Sequence, residues 1–289
     1  MSEIDLNAIE AIDVHVHVLA GRDGIPPVSR LNKDQNRRWE SSTRMTVDAL
    51  AAQYRMWNMA AVVFSVDTEA LTGETPLDNL EIIEDAQRHA DVLIPFASID
   101  PARGQAAVRS ARSAIAAGAK GFKFHPSLQC FYPNDRAAYP LYDAIAEAGL
   151  PSVFHSGQTG AGRTLPGGGG VRLKYSQPLH LDDVAADFPD MPIIIAHPSF
   201  PWQQEALAVA HHKEKVFIDL SGWSPKYFPE QLVHYANSLL KDKVLFGSDF
   251  PVLTPHRWIS DYDQRGFKPE LRQRHLKDNA ARLLGIGSP

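Results

Sequence analysis

The sequence predicts a single-domain (β/α)8 barrel over residues 1–289, with its active site at the C-terminal ends of the strands. Three observations carry this. Eight short apolar, β-rich runs alternate with amphipathic stretches along the whole chain. The length of 289 residues is close to the roughly 250 typical of such barrels. The alternative, a doubly wound open sheet, calls for a Gly-rich phosphate turn after an early strand, and none is there.

The predicted strands are 11–18, 59–66, 92–99, 119–125, 151–156, 192–197, 215–220 and 243–249. Helical periodicity fills 47–57, 77–90, 103–117, 137–148, 179–187, 201–212 and 229–240, and two more helices, 255–263 and 269–284, follow the last strand. Pro76 and Pro101 stand near helix starts, and Asp182 and Asp183 lie early in another helix. Gly118 and Gly149 fall where helices should stop, each just before a strand. Two connections are too long to be simple links, 19–46 and 157–178. Both would lie over the C-terminal end of the barrel. The second holds Gly167-Gly168-Gly169-Gly170, which suits either a mobile lid or a solvated surface loop.

Composition excludes several classes. A net charge of -5 leaves no basic footprint for nucleic acid. Cys130 is the single cysteine, so neither a disulfide framework nor a thiolate metal cluster is expected. Residues 1–10 lack the basic start and apolar core of a signal peptide. No apolar run approaches the roughly 20 residues of a membrane span. The expectation is a cytoplasmic enzyme with a small-molecule substrate and no nucleic-acid or membrane partner; a homo-oligomer is left open.

Chemistry concentrates at the strand ends. In Asp13-Val14-His15-Val16-His17 the strand period puts Asp13, His15 and His17 on one face, with the two imidazoles side by side. Neutral imidazole is a common ligand for divalent metals. The fourth strand ends in Lys123-Phe124-His125-Pro126, the fifth in His155-Ser156-Gly157, the sixth in His197-Pro198, and the eighth in Gly247-Ser248-Asp249-Phe250-Pro251. In a barrel these positions converge on one axis.

These motifs, in this order, with the closing Asn279-Ala280-Ala281-Arg282-Leu283-Leu284, resemble the amidohydrolase superfamily, specifically its amidohydrolase-related branch of metal-dependent barrel hydrolases and decarboxylases. The resemblance covers nearly the whole chain. It implies that His15, His17 and His155 bind one divalent ion, Zn2+ first and Mn2+ second, with Asp249 as fourth ligand or as the base beside it. It implies that His197 holds or polarises the substrate group that develops negative charge. Metal-bound hydroxide would attack a carbonyl, and Asp249 would shuttle the proton. In the wider superfamily a carbamylated lysine on the fourth strand bridges two metals. Lys123 could do so, pair with Asp13 inside the barrel, or touch substrate. His125 is expected near the site as a substrate-side hydrogen-bonding group.

Trp202 and Trp223 lie on loops at the same end and could wall a planar substrate or simply pack. Arg163, Arg172 and Lys174, in the glycine loop, could meet an anion or remain solvated. His211 and His212 fall at a helix end, and His89, His180, His234, His256 and His275 read as surface or packing residues. The leading function is a metal-dependent hydrolase acting on a lactone, amide or β-keto/thioester carbonyl. A nonoxidative decarboxylase of an aromatic or unsaturated acid is the alternative. Many decarboxylases of this branch resemble a Glu-x-His start, whereas this chain has His15-x-His17. Tyr139-Pro140-Leu141-Tyr142, His155-Ser156-Gly157 and Leu220-Ser221-Gly222-Trp223 are similar to a bacterial subgroup linked to aromatic or lactone catabolism. A non-catalytic metal-binding domain would favour a closed, cysteine-rich site without long covering loops.

Overall fold

The first strand already departs from simple alternation. β1 (Ala11–His17) pairs in parallel with β2 (Met59–Phe64), and the register slips between Asp13 and Val16. In the computed structural model, which describes residues 4–25, 31 and 45–287, Ile12 and Val14 join Val62, Phe64, Ile94, Val153, Ile194 and Leu245 in the cluster that fills the barrel. Ala11, Val16 and Val18 instead join the shell between strands and helices. A bulge adds one residue to a strand and re-aims the side chains beyond it. Here it sends Asp13 outward, where its Oδ2 accepts a hydrogen bond from Tyr54 Oη at 2.7 Å. His15 and His17 turn inward. The expectation that Asp13 shares their face is therefore corrected.

The remaining strands are β3 (Leu93–Pro95), β4 (Ala97–Ser98), β5 (Phe122–Phe124), β6 (Ser152–His155), β7 (Ile193–Ala196), β8 (Val216–Asp219) and β9 (Val244–Leu245). They form two all-parallel sheets, β1-β2-β3 and β4-β5-β6-β7-β8-β9. β3 and β4 are the two halves of the run predicted at 92–99. Phe96 sits between them, its N–H bonded to Val63, while Ala97 N–H bonds to Gly121 on the other side. Counted as one strand, they give the eight of a (β/α)8 barrel. At the seam between the last and first strands there is no continuous ladder. Individual bonds cross it, from Val14 N–H to Phe246 C=O and from Asp249 N–H to His15 C=O (both 3.0 Å), and from His17 N–H to Phe250 C=O (2.9 Å).

Helices cover the outside close to their predicted ranges. Val47–Met56 is capped by the Thr46 side chain and Asn79–Gln87 by Asp78. Gln105–Ala117 stops at left-handed Gly118. Tyr139–Glu147, His180–Asp187, Gln203–His212, Glu230–Ala236 and Pro255–Asp263 complete the set of longer helices among the described residues. The predicted helix at 269–284 is three pieces: a 3₁₀ turn Pro269–Leu271, a π turn Arg274–Asp278 and an α-helix Asn279–Leu284. Two single-turn helices not expected from the sequence, Glu69–Thr72 and Pro126–Gln129, sit in the loops after β2 and β5.

Of the long loop 19–46, residues 26–30 and 32–44 lie outside the described residues. In the second long loop, Pro166–Gly170 forms a turn with Gly167, Gly168 and Gly169 all left-handed, and a 3₁₀ turn at Leu173–Ser176 comes after it. The two loops meet where Gly162 N–H bonds to the carbonyl of buried Leu31. Among the described residues, no helix is long and apolar enough to cross a membrane.

Candidate functional site

The bulge in β1 places His15 and His17 against the edge of the Phe64 ring, with centroids at 5.0 and 5.2 Å. His125 directly follows β5, His155 ends β6, His197 directly follows β7, and Asp249 lies just beyond β9. His197 (φ 70°) and Asp249 (φ 64°) both adopt left-handed backbone. For a non-glycine residue this costs on the order of 1–3 kcal/mol and persists only where the surroundings enforce it.

His15, His17 and Asp249 each offer a ligand atom, all within 4.8 Å of one another. Asp249 Oδ1 is 2.8 Å from His17 Nε2 and 3.5 Å from His15 Nε2. Ligand atoms of a tetrahedral zinc site stand roughly 3.4 Å apart, given metal–ligand bonds of about 2.1 Å. Burial raises the Asp249 carboxyl, but the His17 hydrogen bond and the charges of His17, His197 and Lys123 outweigh it and hold the group below the usual carboxylate range. Burial first, and then neighbouring cationic groups, push His15, His125 and His155 well below the ordinary imidazole range. Burial takes His197 down to about 4, against the Asp249 charge that raises it. Neutral rings are the form that binds metal.

His155 stands one ring away from this group. Its Nδ1 is 3.0 Å from His197 Nε2, and its ring stacks on His125 with centroids 3.7 Å apart. His197 Nδ1 lies 3.1 Å from the Ser221 carbonyl, which can only accept. The His197 proton therefore sits on Nδ1, its Nε2 accepts from His155 Nδ1–H, and His155 Nε2 keeps a lone pair. That atom is buried and has no partner among the described residues. A buried acceptor left open suits a divalent cation, but the ligand atoms that lie within 4.8 Å of one another are those of His15, His17 and Asp249, and His155 is not among them. Both His197 nitrogens are engaged, so action on a substrate requires its bond to His155 to open. Gly222 (φ 75°) makes room for this ring, since a Cβ there would lie 2.7 Å from His197 Nδ1.

Lys123 is fully buried, with Nζ 3.1 Å from His15 Nε2 and 5.0 Å from the Phe64 centroid. Burial pulls its ammonium down, against the raising charges of Asp249 and Asp219. It does not pair with Asp13, whose oxygens are taken by Tyr54 Oη, the N–H groups of His15 and Ser248, and Ser248 Oγ. Asp219 and Ser221 were missed from sequence. Asp219 Oδ2 is 2.5 Å from His15 Nδ1, and Ser221 Oγ is 2.9 Å from His197 Nδ1 and 3.1 Å from His15 Nδ1. The signal was present: Val216-Phe217-Ile218-Asp219 ends an apolar run in a carboxylate, like its neighbours.

The proposed substrate contacts lie farther out. Trp202 is half-buried and caps helix Gln203–His212. Trp223 packs on Phe200, with ring centroids at 5.6 Å. Arg163 is exposed on the glycine loop, as is Arg172, whose carbonyl accepts from Ser127 Oγ. Lys174 lies over the rings of Tyr132 and Tyr175. None of these contacts involves the His15–His17–Asp249 group. His125 is buried, and its Nδ1 has no partner among the described residues.

Residues 12–286 match the amidohydrolase family. No curated protein matches the chain. Many solved structures share its fold, three of them as follows. An uncharacterized TIM-barrel protein from Bordetella bronchiseptica is 21% identical with a TM-score of 0.79, covering 95% of this chain and 98% of that one. A probable 2-pyrone-4,6-dicarboxylic acid hydrolase from Acinetobacter baumannii, with citric acid bound, is 16% identical with a TM-score of 0.66, covering 96% and 100%. A 5-carboxyvanillate decarboxylase from Novosphingobium aromaticivorans, with bound manganese, is 14% identical with a TM-score of 0.70, covering 98% and 99%.

Proposed function

The chain belongs to the amidohydrolase family, and from that premise we propose that it is a metal-dependent hydrolase cleaving a carbonyl compound. The observation that carries this is the His15–His17–Asp249 group at the mouth of the barrel. A divalent cation held there, Zn2+ by preference of the donor set and Mn2+ next, would supply the Lewis acidity that polarises a carbonyl and acidifies water. His15, His17 and Asp249 would hold it, with His155 Nε2 as the remaining ligand. Asp249, held in its carboxylate form, takes a proton from water and returns it to the leaving group. His197, released from His155 and shifted to the tautomer with its proton on Nε2 while Ser221 Oγ donates to Nδ1, would donate to the oxygen that gains negative charge. His125, stacked on His155, would offer a hydrogen bond to the substrate. Trp202 and Trp223 would wall an aromatic or planar substrate, and Arg163 would meet its anionic end if the glycine loop closes. A role in aromatic catabolism belongs to this reading.

Nonoxidative decarboxylation is the second reading, supported by the fold shared with the manganese-bound decarboxylase. The His15-x-His17 start favours hydrolysis; the fold, shared with both the probable pyrone hydrolase and the decarboxylase, does not choose between them. Turnover in 18O-labelled water, with CO2 monitored, separates them. The expected result is solvent oxygen in the product carboxylate and no CO2. Stoichiometric CO2, a solvent proton on the product carbon and no 18O in the carboxylate would replace hydrolase with decarboxylase.

A further inference from the structure

We propose that Asp219 fixes His15 in the tautomer that offers Nε2 to a divalent cation, making Asp219 a positioning residue for the centre. The inference rests on the reading of His15 as a ligand.

Asp219 ends β8 and is fully buried. Its Oδ1 accepts from Ser221 N–H at 2.7 Å, so that oxygen is committed. Its Oδ2 faces His15 Nδ1 at 2.5 Å. As a carboxylate Asp219 only accepts, and the Lys123 ammonium facing Nε2 only donates, so the proton of neutral His15 sits on Nδ1 and the lone pair on Nε2. That Nε2 is the atom beside Asp249 Oδ1 and within 3.1 Å of Lys123 Nζ. Ser221 extends the cradle, because its backbone N–H holds Asp219 while its carbonyl and Oγ meet His197 Nδ1. The fit is close: a Cβ on Gly247 would press into Asp219 Oδ1 and come within 2.9 Å of Ser221 Cβ. Outer partners of this kind orient ligating imidazoles and set their tautomer.

Asp219→Asn and Asp219→Ala test the role, because tautomer control and packing rank them in opposite orders. In Asp219→Asn the Ser221 N–H still requires an acceptor. The amide oxygen goes there, and the NH2 turns toward His15 Nδ1. His15 must then accept on Nδ1 and carry its proton on Nε2, the wrong atom for a ligand. Alanine gives no such instruction. If Asp219 only filled space, the isosteric Asn would be the milder change.

Two measurements read this out: the His15 tautomer from 15N–1H correlations of metal-free, 15N-histidine-labelled protein, and Zn2+ affinity by competition with a chromophoric chelator. Wild type should show Nδ1–H and Asp219→Asn Nε2–H. Zn2+ affinity should fall by about ten- to a hundredfold in Asp219→Asn and by less in Asp219→Ala, with circular dichroism unchanged. Nε2–H in the wild type overturns the proposal without any variant. So does an Asp219→Asn protein that keeps Nδ1–H or binds Zn2+ more tightly than Asp219→Ala. Wild-type protein with Nδ1–H that takes up no Zn2+ instead refutes the reading of His15 as a ligand, so the two failures are told apart.

Discussion

His197 and Asp249 hold left-handed backbone at the barrel mouth, and both side chains converge on the histidine cluster. Such strain marks positions where geometry is enforced by the surroundings. If Asp249 moves the proton and His197 stabilises the oxyanion, Asp249→Asn and His197→Gln should each lower turnover by roughly a hundredfold or more. Metal content separates the roles: Asp249→Asn should retain less metal, and His197→Gln should stay near normal. A His197→Gln enzyme turning over at the wild-type rate removes His197 from the mechanism. His15, His17 and Asp249 were legible in sequence, because a strand-end His or Asp in an apolar run is conspicuous. The Asp219–His15 bond was not. It joins residues 204 positions apart, and no local pattern reports such a pairing.

At the scale of elements, departures from ideal geometry do the positioning. The β1 bulge shifts His15 and His17 into the barrel, and a periodicity of two cannot foresee an inserted residue. The π turn Arg274–Asp278 is the second departure. It carries His275 inward, where Nδ1 lies 2.8 Å from Tyr262 Oη. Burial, then the Arg274 charge, lowers His275 to about 4. The unfolded chain protonates first, near 6.5. His275 therefore costs no stability above pH 6.5, and stability is lost as pH falls from 6.5 towards 4, by about 2 kcal/mol at pH 5. Urea unfolding of metal-free protein at pH 7 and pH 5 tests this. His275→Asn should lose less stability between the two pH values than wild type. Equal losses would dismiss His275 as a source of acid sensitivity.

For the whole molecule, the decisive feature is the seam. His15 and His17 come from the first strand and Asp249 from the segment after the last. Among the described residues, individual backbone bonds, the Asp13–Ser248 contacts and the His17–Asp249 hydrogen bond join them in place of a continuous ladder. A cation held by all three would tie the barrel shut at its weakest ladder. One divalent ion per chain is expected in protein purified without added metal. Saturation at a hundredfold over the dissociation constant should add about 2.7 kcal/mol, or roughly 4 °C in Tm for a chain of this size. Less than half an equivalent of metal, with activity intact after chelation, would falsify the metal-dependent reading. A second equivalent would point instead to a binuclear site bridged by Lys123.

By itself the sequence determined the order of strands and helices, the end of the barrel that carries chemistry, and most of the polar residues gathered there. All of these are encoded locally, in period, caps and strand ends. Tertiary structure alone decided that Asp13 faces outward to Tyr54, that Lys123 meets His15 rather than Asp13, that His155 is held by His197, and that Asp219 backs His15. These outcomes depend on register and on packing across the barrel. A shift of one residue exchanges the faces of a strand, and contacts between distant strands exist only once the barrel has assembled.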